Sequence, residues 1–244
     1  IKSEYRGMWY QRFIEGKWVQ AEGAVYASFD PKIHCLDYPT HAADFYIAGI
    51  DYGTVNPFCC VLIGVNFNYY PIIWVESEYY FDSKVAQYQK TDSEYAVDMG
   101  NFLKFKNVKY IYIDPSAASF KLEMQKNNFT NLYDAKNEIE DGIRLVDRYI
   151  NSGSIKICRN CKNLIEQFQG YLWDPKCVET GKERPIKDND HALDALRYAL
   201  YTHFLSDDGS TLNAKDLDTM YEESRGIRPN LPKFFQDPST NGMY

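Results

Sequence analysis

Three carboxylates stand where a backbone could aim them rigidly. Asp51 closes the apolar run 45–50, Asp114 closes a second apolar run at 108–113, and Asp194 lies within Asp190-His191-Ala192-Leu193-Asp194-Ala195-Leu196-Arg197-Tyr198. Converging acids repel one another unless a hard divalent cation sits among them, and Mg²⁺ or Mn²⁺ favours such an oxygen-rich, partly hydrated site. Two such ions, about 3.5–4 Å apart, can activate water and take charge from the leaving oxygen of a phosphodiester. Asp51 would then bridge both ions. His191, one turn before Asp194, could ligate a metal or carry a proton to the leaving group, or it could be a solvated helix-start histidine. A lone Asp51-Tyr52-Gly53 reads more readily as a turn cap. The weight comes from finding three acids together.

The elements that must position these acids follow from periodicity. Residues 45–50 are too short and too apolar for anything but a strand covered on both faces. Runs at 58–65 and 70–76 read as two further strands, and the three make an antiparallel meander. Helical spacing over 93–104 separates the meander from the strand 108–113, which Pro115 stops. A helix over 116–125 follows, with Ser116 as a candidate cap, then a short strand at 132–136 and an amphipathic helix over 138–151. An edge strand at 154–157 and a helix over 164–171 lead to a hairpin, 171–174 with 184–187, around Gly181. In the last helix Ala192, Leu193, Leu196, Ala199, Leu200 and His203 share a core arc, while His191, Asp194 and Tyr198 share another face. Asp190 is either a ligand or a helix cap, and Asp188 belongs to cap or turn. Strands before and beside helices, with acids at strand ends, describe an α/β fold around a mixed sheet.

The totals are those of an ordinary globular chain: 244 residues, 45% hydrophobic, 25% charged and 16% aromatic. A formal charge of −7 argues against a generally basic, nucleic-acid-coating protein but leaves room for a local cationic patch. Candidates for that patch are Lys136 after the short strand and Lys182, Arg184 and Lys187 in the hairpin. A solitary Lys136 is more readily read as a solvated side chain. Six cysteines without an extracellular framework, and the lack of a signal peptide or long apolar span, favour a reducing cytoplasm. Cys158 and Cys161 have zinc-like spacing that Cys177 and His191 could complete, though reduced thiols explain them more simply. Residues 1–40 read as a connector with small hairpins at 13–19 and 24–29. Residues 41–205 form the domain, and 206–244 a flexible tail in which Phe234 and Phe235 could dock on a partner. A start at Ile1 suggests a fragment of something longer.

Ile50-Asp51-Tyr52-Gly53, Ile111-Tyr112-Ile113-Asp114-Pro115-Ser116, Asp134-Ala135-Lys136-Asn137 and the Asp190–Tyr198 run together resemble the nuclease domain of the tailed-bacteriophage terminase large subunit. The resemblance covers about 41–205, with His191–Tyr198 its most specific piece. It implies an RNase H-like fold and a two-metal endonuclease that cuts concatemeric viral double-stranded DNA during packaging. By position it makes Asp51, Asp114 and Asp194 the metal-binding acids and His191 a helper, and gives 172–187 a gating or DNA-contact role. It also implies an ATPase domain, a small terminase subunit and a portal protein as partners, in the host cytoplasm. No Gly-x-x-x-x-Gly-Lys-Ser/Thr loop occurs here, so ATP-driven translocation is not expected of this chain. Competing readings are a junction resolvase or transposase core on the same fold, and a non-catalytic module that docks on DNA or the portal.

Overall fold

The computed structural model describes residues 23–175 and 184–205. The expected strand at 13–19, Cys177, the hairpin tip with Gly181 and Lys182, and the tail from 206 lie outside those residues.

In chain order the elements are α1 (Pro31–His34), β1 (Cys35–Leu36), β2 (Phe45–Asp51), β3 (Phe58–Val65), β4 (Ile73–Phe81), α2 (Ser83–Ala86), α3 (Asp92–Phe102), β5 (Val108–Ile113), α4 (Ala118–Lys126), β6 (Leu132–Asp134), α5 (Ile139–Ser152), β7 (Ile155–Cys158), α6 (Lys162–Gly170) and α7 (His191–Phe204). Seven strands form one sheet in the order β1-β7-β4-β3-β2-β5-β6. The β2–β3 and β3–β4 pairs are antiparallel, giving the expected meander, and every other pair is parallel. Strand β3 lies mid-sheet and is buried at every position, as its unbroken apolar run requires.

Alternation along β2 divides the core in two. Ile47 faces one layer with α5, α6 and α7, whereas Ala48 and Ile50 face the other with Tyr95 and Met99 of α3 and Phe120 and Met124 of α4. Asp51, two residues beyond Gly49 and four beyond Ile47, belongs by this alternation to the α7 side. The parallel register pairs Ile50 with Ile113, so the next residues, Asp51 and Asp114, emerge side by side from adjacent strands.

Several expectations are corrected. Strand β4 runs Ile73–Phe81 rather than 70–76, because its polar half, Glu76 to Phe81, continues the ladder against β3 down to Phe58. Strand β7 is not an edge: the two-residue β1 pairs on its outer side. Residues 24–29 are not a strand but a turn with a single bridge from Ala24 to Leu172. In that turn Tyr26 and Phe29 pack on Phe168 at centroid separations of 4.9 and 4.6 Å, within the larger core. Ser116 does not cap α4, which starts at Ala118 without a side-chain cap; its N–H donates instead to Asp114. The expected hairpin pairing is present: Trp173 bridges Pro185, and Ile186 N–H donates to Leu172 O at 2.8 Å.

Candidate active site

Strand β2 delivers Asp51, the turn after β5 delivers Asp114, and the first turn of α7 delivers His191 and Asp194. A glycine makes the meeting possible. A Cβ on Gly49 would lie 1.9 Å from Ala195 O, so only glycine lets the α7 backbone rest directly on β2. One helical turn before Ala195, the His191 Nδ1 comes within 2.7 Å of Asp51 Oδ2.

On the same helix face, Tyr198 donates its hydroxyl to Asp114 Oδ2 at 2.9 Å, while Ser116 N–H donates to Asp114 Oδ1 at 2.7 Å. Asp194 Oδ1 accepts from Arg197 Nη2 at 2.8 Å. The Arg197 guanidinium also donates to Glu138 O and lies over the Tyr198 ring at 4.8 Å, so Asp194, Arg197, Tyr198 and Asp114 form one connected chain. Arg197 is 3% exposed, and its stem passes where Gly142 of α5 leaves room: a Cβ there would lie 2.5 Å from Arg197 Cγ.

The electrostatics show that the three acids share one field. Burial, then the charges of Asp194 and Asp114, push the Asp51 carboxyl up to about 6 against the opposing pull of His191. Burial pulls the His191 pKa down, but the hydrogen bond and charge of Asp51, with Asp190 and Asp194, outweigh it and leave the imidazole above its ordinary value. Each partner thus favours the charged form of the other. Burial also raises Asp114, yet the bonds from Ser116 and Tyr198 and the Arg197 charge hold it below the usual carboxylate range. Asp190 is pushed up by burial and by Asp194.

A cavity of about 600 Å³ opens beside Asp190 and Asp194, walled by Glu138, Asp141, Tyr171, Arg184 and Lys187. A second, of about 320 Å³, lies on the other side of Asp190 and His191 and shares Lys187. The hairpin cations Arg184 and Lys187 thus line the first cavity together with Asp190 and Asp194, and Lys182 lies outside the described residues. Lys136 is exposed beyond β6, where its backbone N–H donates to Thr202 of α7. Asp190 holds the cap position of α7, but its side chain makes no capping bond. Cys158 and Cys161 are buried free thiols, and His191 is engaged with Asp51 rather than with them.

Among the described residues, no three His, Cys, Asp or Glu side chains are gathered tightly enough to hold a metal ion as they stand. Asp51 and Asp194 are instead each held by a nitrogen of a neighbouring side chain, His191 and Arg197 respectively. The donor chemistry itself fits a hard cation, being all carboxylate oxygen, with the charges of Asp194 and Asp114 adding to the burial that lifts Asp51.

Sequence reasoning missed Gly49, Gly142 and Arg197, and with them Gln167 of α6, whose side chain accepts from Ala192 N–H at the start of α7. A glycine inside a strand pattern signals close backbone approach, and Arg197 three residues after Asp194 signals a helical ion pair. Nothing local marked Gly142 or Gln167.

A family model described as the terminase RNase H-like domain matches residues 76–202, a little over half of the chain. The chain belongs to that family. Asp114, His191 and Asp194 fall inside the matched stretch of this terminase domain, and strand pairing joins Asp51 to them from outside it. The terminase domain is 26% identical to the terminase large subunit of Escherichia phage T5 over 191 residues, covering 74% of this chain and 42% of that protein. It is 36% identical, with a TM-score of 0.68, to the large terminase of a thermophilic bacteriophage solved with ATP-gamma-S, covering 82% of this chain and 49% of that one. It therefore spans about half the length of these relatives or less. The large terminase nuclease of thermophilic phage G20c, solved with bound cobalt, shares the fold at a TM-score of 0.53 and 11% identity, covering 73% of this chain and 97% of that one. No helix among the described residues is long and apolar enough to cross a membrane.

Proposed function

We propose that this terminase domain is the DNA-cutting part of a large terminase: a divalent-metal-dependent endonuclease that hydrolyses phosphodiester bonds of concatemeric viral double-stranded DNA during packaging. The observation that carries this reading is the convergence of Asp51, Asp114 and Asp194 from two parallel strand ends and a helix start, where the charges of Asp194 and Asp114 add to the burial that lifts Asp51 to about 6. Asp51, Asp114 and Asp194 would hold Mg²⁺ or Mn²⁺, two ions in the full reading, and the cobalt bound by the G20c nuclease supports a divalent ion. Bound there, the ions supply an activated water and stabilise charge on the phosphorus and the leaving oxygen.

The chain's own groups do the rest. With Nδ1 committed to Asp51, His191 offers its other ring nitrogen, Nε2, for the proton of the leaving group. Arg197, buried and bonded to Asp194 and to Glu138 O, would hold the Asp194 carboxylate in place for an ion. Arg184 and Lys187 hold the DNA backbone along the cavity wall, and Lys182 and Lys136 are further candidate DNA contacts. The ATPase half, the small terminase subunit and the portal are the partners this reading requires, in the cytoplasm of the infected host.

A non-catalytic docking module is the second reading, and one observation favours it: two of the acids are already paired with His191 and Arg197 rather than pre-gathered for an ion. Supercoiled-plasmid cleavage decides between them, with wild type beside Asp51→Asn, Asp114→Asn and Asp194→Asn in EDTA, Mg²⁺ and Mn²⁺. The expected result is metal-dependent nicking and linearisation that fall at least about 100-fold in each variant. Persistent cutting by folded Asp51→Asn or Asp114→Asn would sink the assignment. A folded wild type that binds plasmid but never cuts would establish the docking module.

A further inference from the structure

Helix α7 carries His191 and Asp194 in its first turn, and the N–H groups of such a turn have no partner within the helix. A local cap should serve them. Asp190 occupies the cap position with a suitable side chain, yet makes no capping bond and is buried at 4% exposure. The acceptor comes from another helix. Gln167 of α6, 2% exposed, accepts from Ala192 N–H at 2.7 Å and Leu193 N–H at 3.2 Å. These are the second and third residues of α7, the donors that a local cap ordinarily serves.

The other end of the Gln167 amide donates to Asn189 Oδ1 at 3.2 Å. Asn189 has φ +49°, a left-handed conformation that Asn tolerates better than most residues, so Gln167 grips both the turn before α7 and its first turn. Helix α6 is anchored in the same way. Its cap residue Cys161 makes no side-chain cap bond, and Glu78 of β4 accepts instead from Asn163 N–H at 2.8 Å and Leu164 N–H at 2.9 Å. Two caps supplied from other elements therefore run in series from the sheet, through α6, to the helix start that holds His191 against Asp51.

We propose that Gln167 is a positioning residue of the cutting site: by capping α7 in place of Asp190 it sets the depth of His191 and Asp194 against the sheet and keeps the Asp190 carboxylate beside Asp194. Asp190 borders both cavities that flank the acids. Without the Gln167 oxygen, the local acceptor at the cap position for the Ala192 and Leu193 N–H groups is Asp190. Its collapse onto them withdraws a carboxylate from the cluster and turns the helix start that carries His191.

The proposal rests on the endonuclease reading, and the test separates the two. Gln167→Leu keeps the volume and removes the acceptor, whereas Gln167→Glu keeps an oxygen on the same two N–H groups, where a negative charge is favoured. Plasmid nicking by Gln167→Leu is expected to show kcat lowered at least about tenfold with KM for DNA within about twofold, and Gln167→Glu to recover most of the loss. Amide hydrogen exchange at Ala192 and Leu193 should quicken in Gln167→Leu and stay near wild type in Gln167→Glu. If wild type does not cut, the endonuclease reading fails alone, and the exchange at those two amides still judges the cap. If Gln167→Leu does not fold, Gln167→Asn, whose oxygen falls short by one bond or roughly 1.5 Å, makes the same comparison. Unchanged exchange at both amides, wild-type kcat in Gln167→Leu, or equal loss in Gln167→Leu and Gln167→Glu each overturns the proposal.

Discussion

Replacing Gly49 with alanine places a methyl group 1.9 Å from Ala195 O, 2.9 Å from Ala199 Cβ and 3.0 Å from Ala195 C. The first and last of these are backbone atoms of α7, so no side-chain rotation relieves the clash. Ordinary contact begins at 3.4 Å, and the helix must retreat by about 1.5 Å from β2. Overpacking of this kind costs about 1–3 kcal/mol, and removing a strand glycine returns no more than about 1 kcal/mol. For a chain of this size each kcal/mol moves the melting temperature by roughly 2–4 °C, so a loss of several degrees is expected. The functional cost is larger. The 2.7 Å contact between His191 and Asp51 opens toward 4 Å, beyond hydrogen-bonding range, and misplacement by about 1 Å can cost on the order of 100-fold in rate. Thermal melts and initial nicking rates in Mn²⁺ measure both effects. Gly100→Ala is the control: a Cβ on that α3 glycine meets nothing within 4 Å, and the change should stabilise by up to about 1 kcal/mol. A Gly49→Ala protein that melts and cuts like wild type would refute the close-approach argument.

Arg197→Met keeps the buried stem but leaves Asp194 without its cation, and should destabilise by about 3–5 kcal/mol in denaturant titration. Mn²⁺ should restore part of that loss; a change below about 1 kcal/mol would mean the pair does not hold the helix face. Burial lowers the His203 pKa to about 3, against 6.5 when unfolded. Its stabilising contribution is thus complete above pH 6.5 and is lost as pH falls toward 3, by roughly 3 kcal/mol at pH 4. His203→Gln should flatten the acid limb of a stability profile, and an unchanged limb would assign acid unfolding elsewhere.

Local pattern made most of the scaffold legible. The apolar run before Asp51, the matching run before Asp114 and the two arcs of α7 are statements about which residues meet water, and burial imposes a period on the sequence wherever it occurs. Strand ends followed by Pro115 or Gly53 likewise announce themselves through backbone chemistry. The expected ends of β4 and the start of α4 were displaced because polar residues continued the ladder in one, and because Asp114 claimed the Ser116 N–H in the other.

The sequence by itself determined the meander, the acids at two strand ends and the face shared by His191, Asp194 and Tyr198. It could not determine their partners. His191 meets Asp51 across 140 residues, Tyr198 meets Asp114 across 84, and Gln167 reaches α7 across 25. None of these contacts leaves a period in the chain. They were decided by the tertiary structure, where Gly49 lets a helix touch a strand and a buried N–H takes whichever acceptor packing brings within reach.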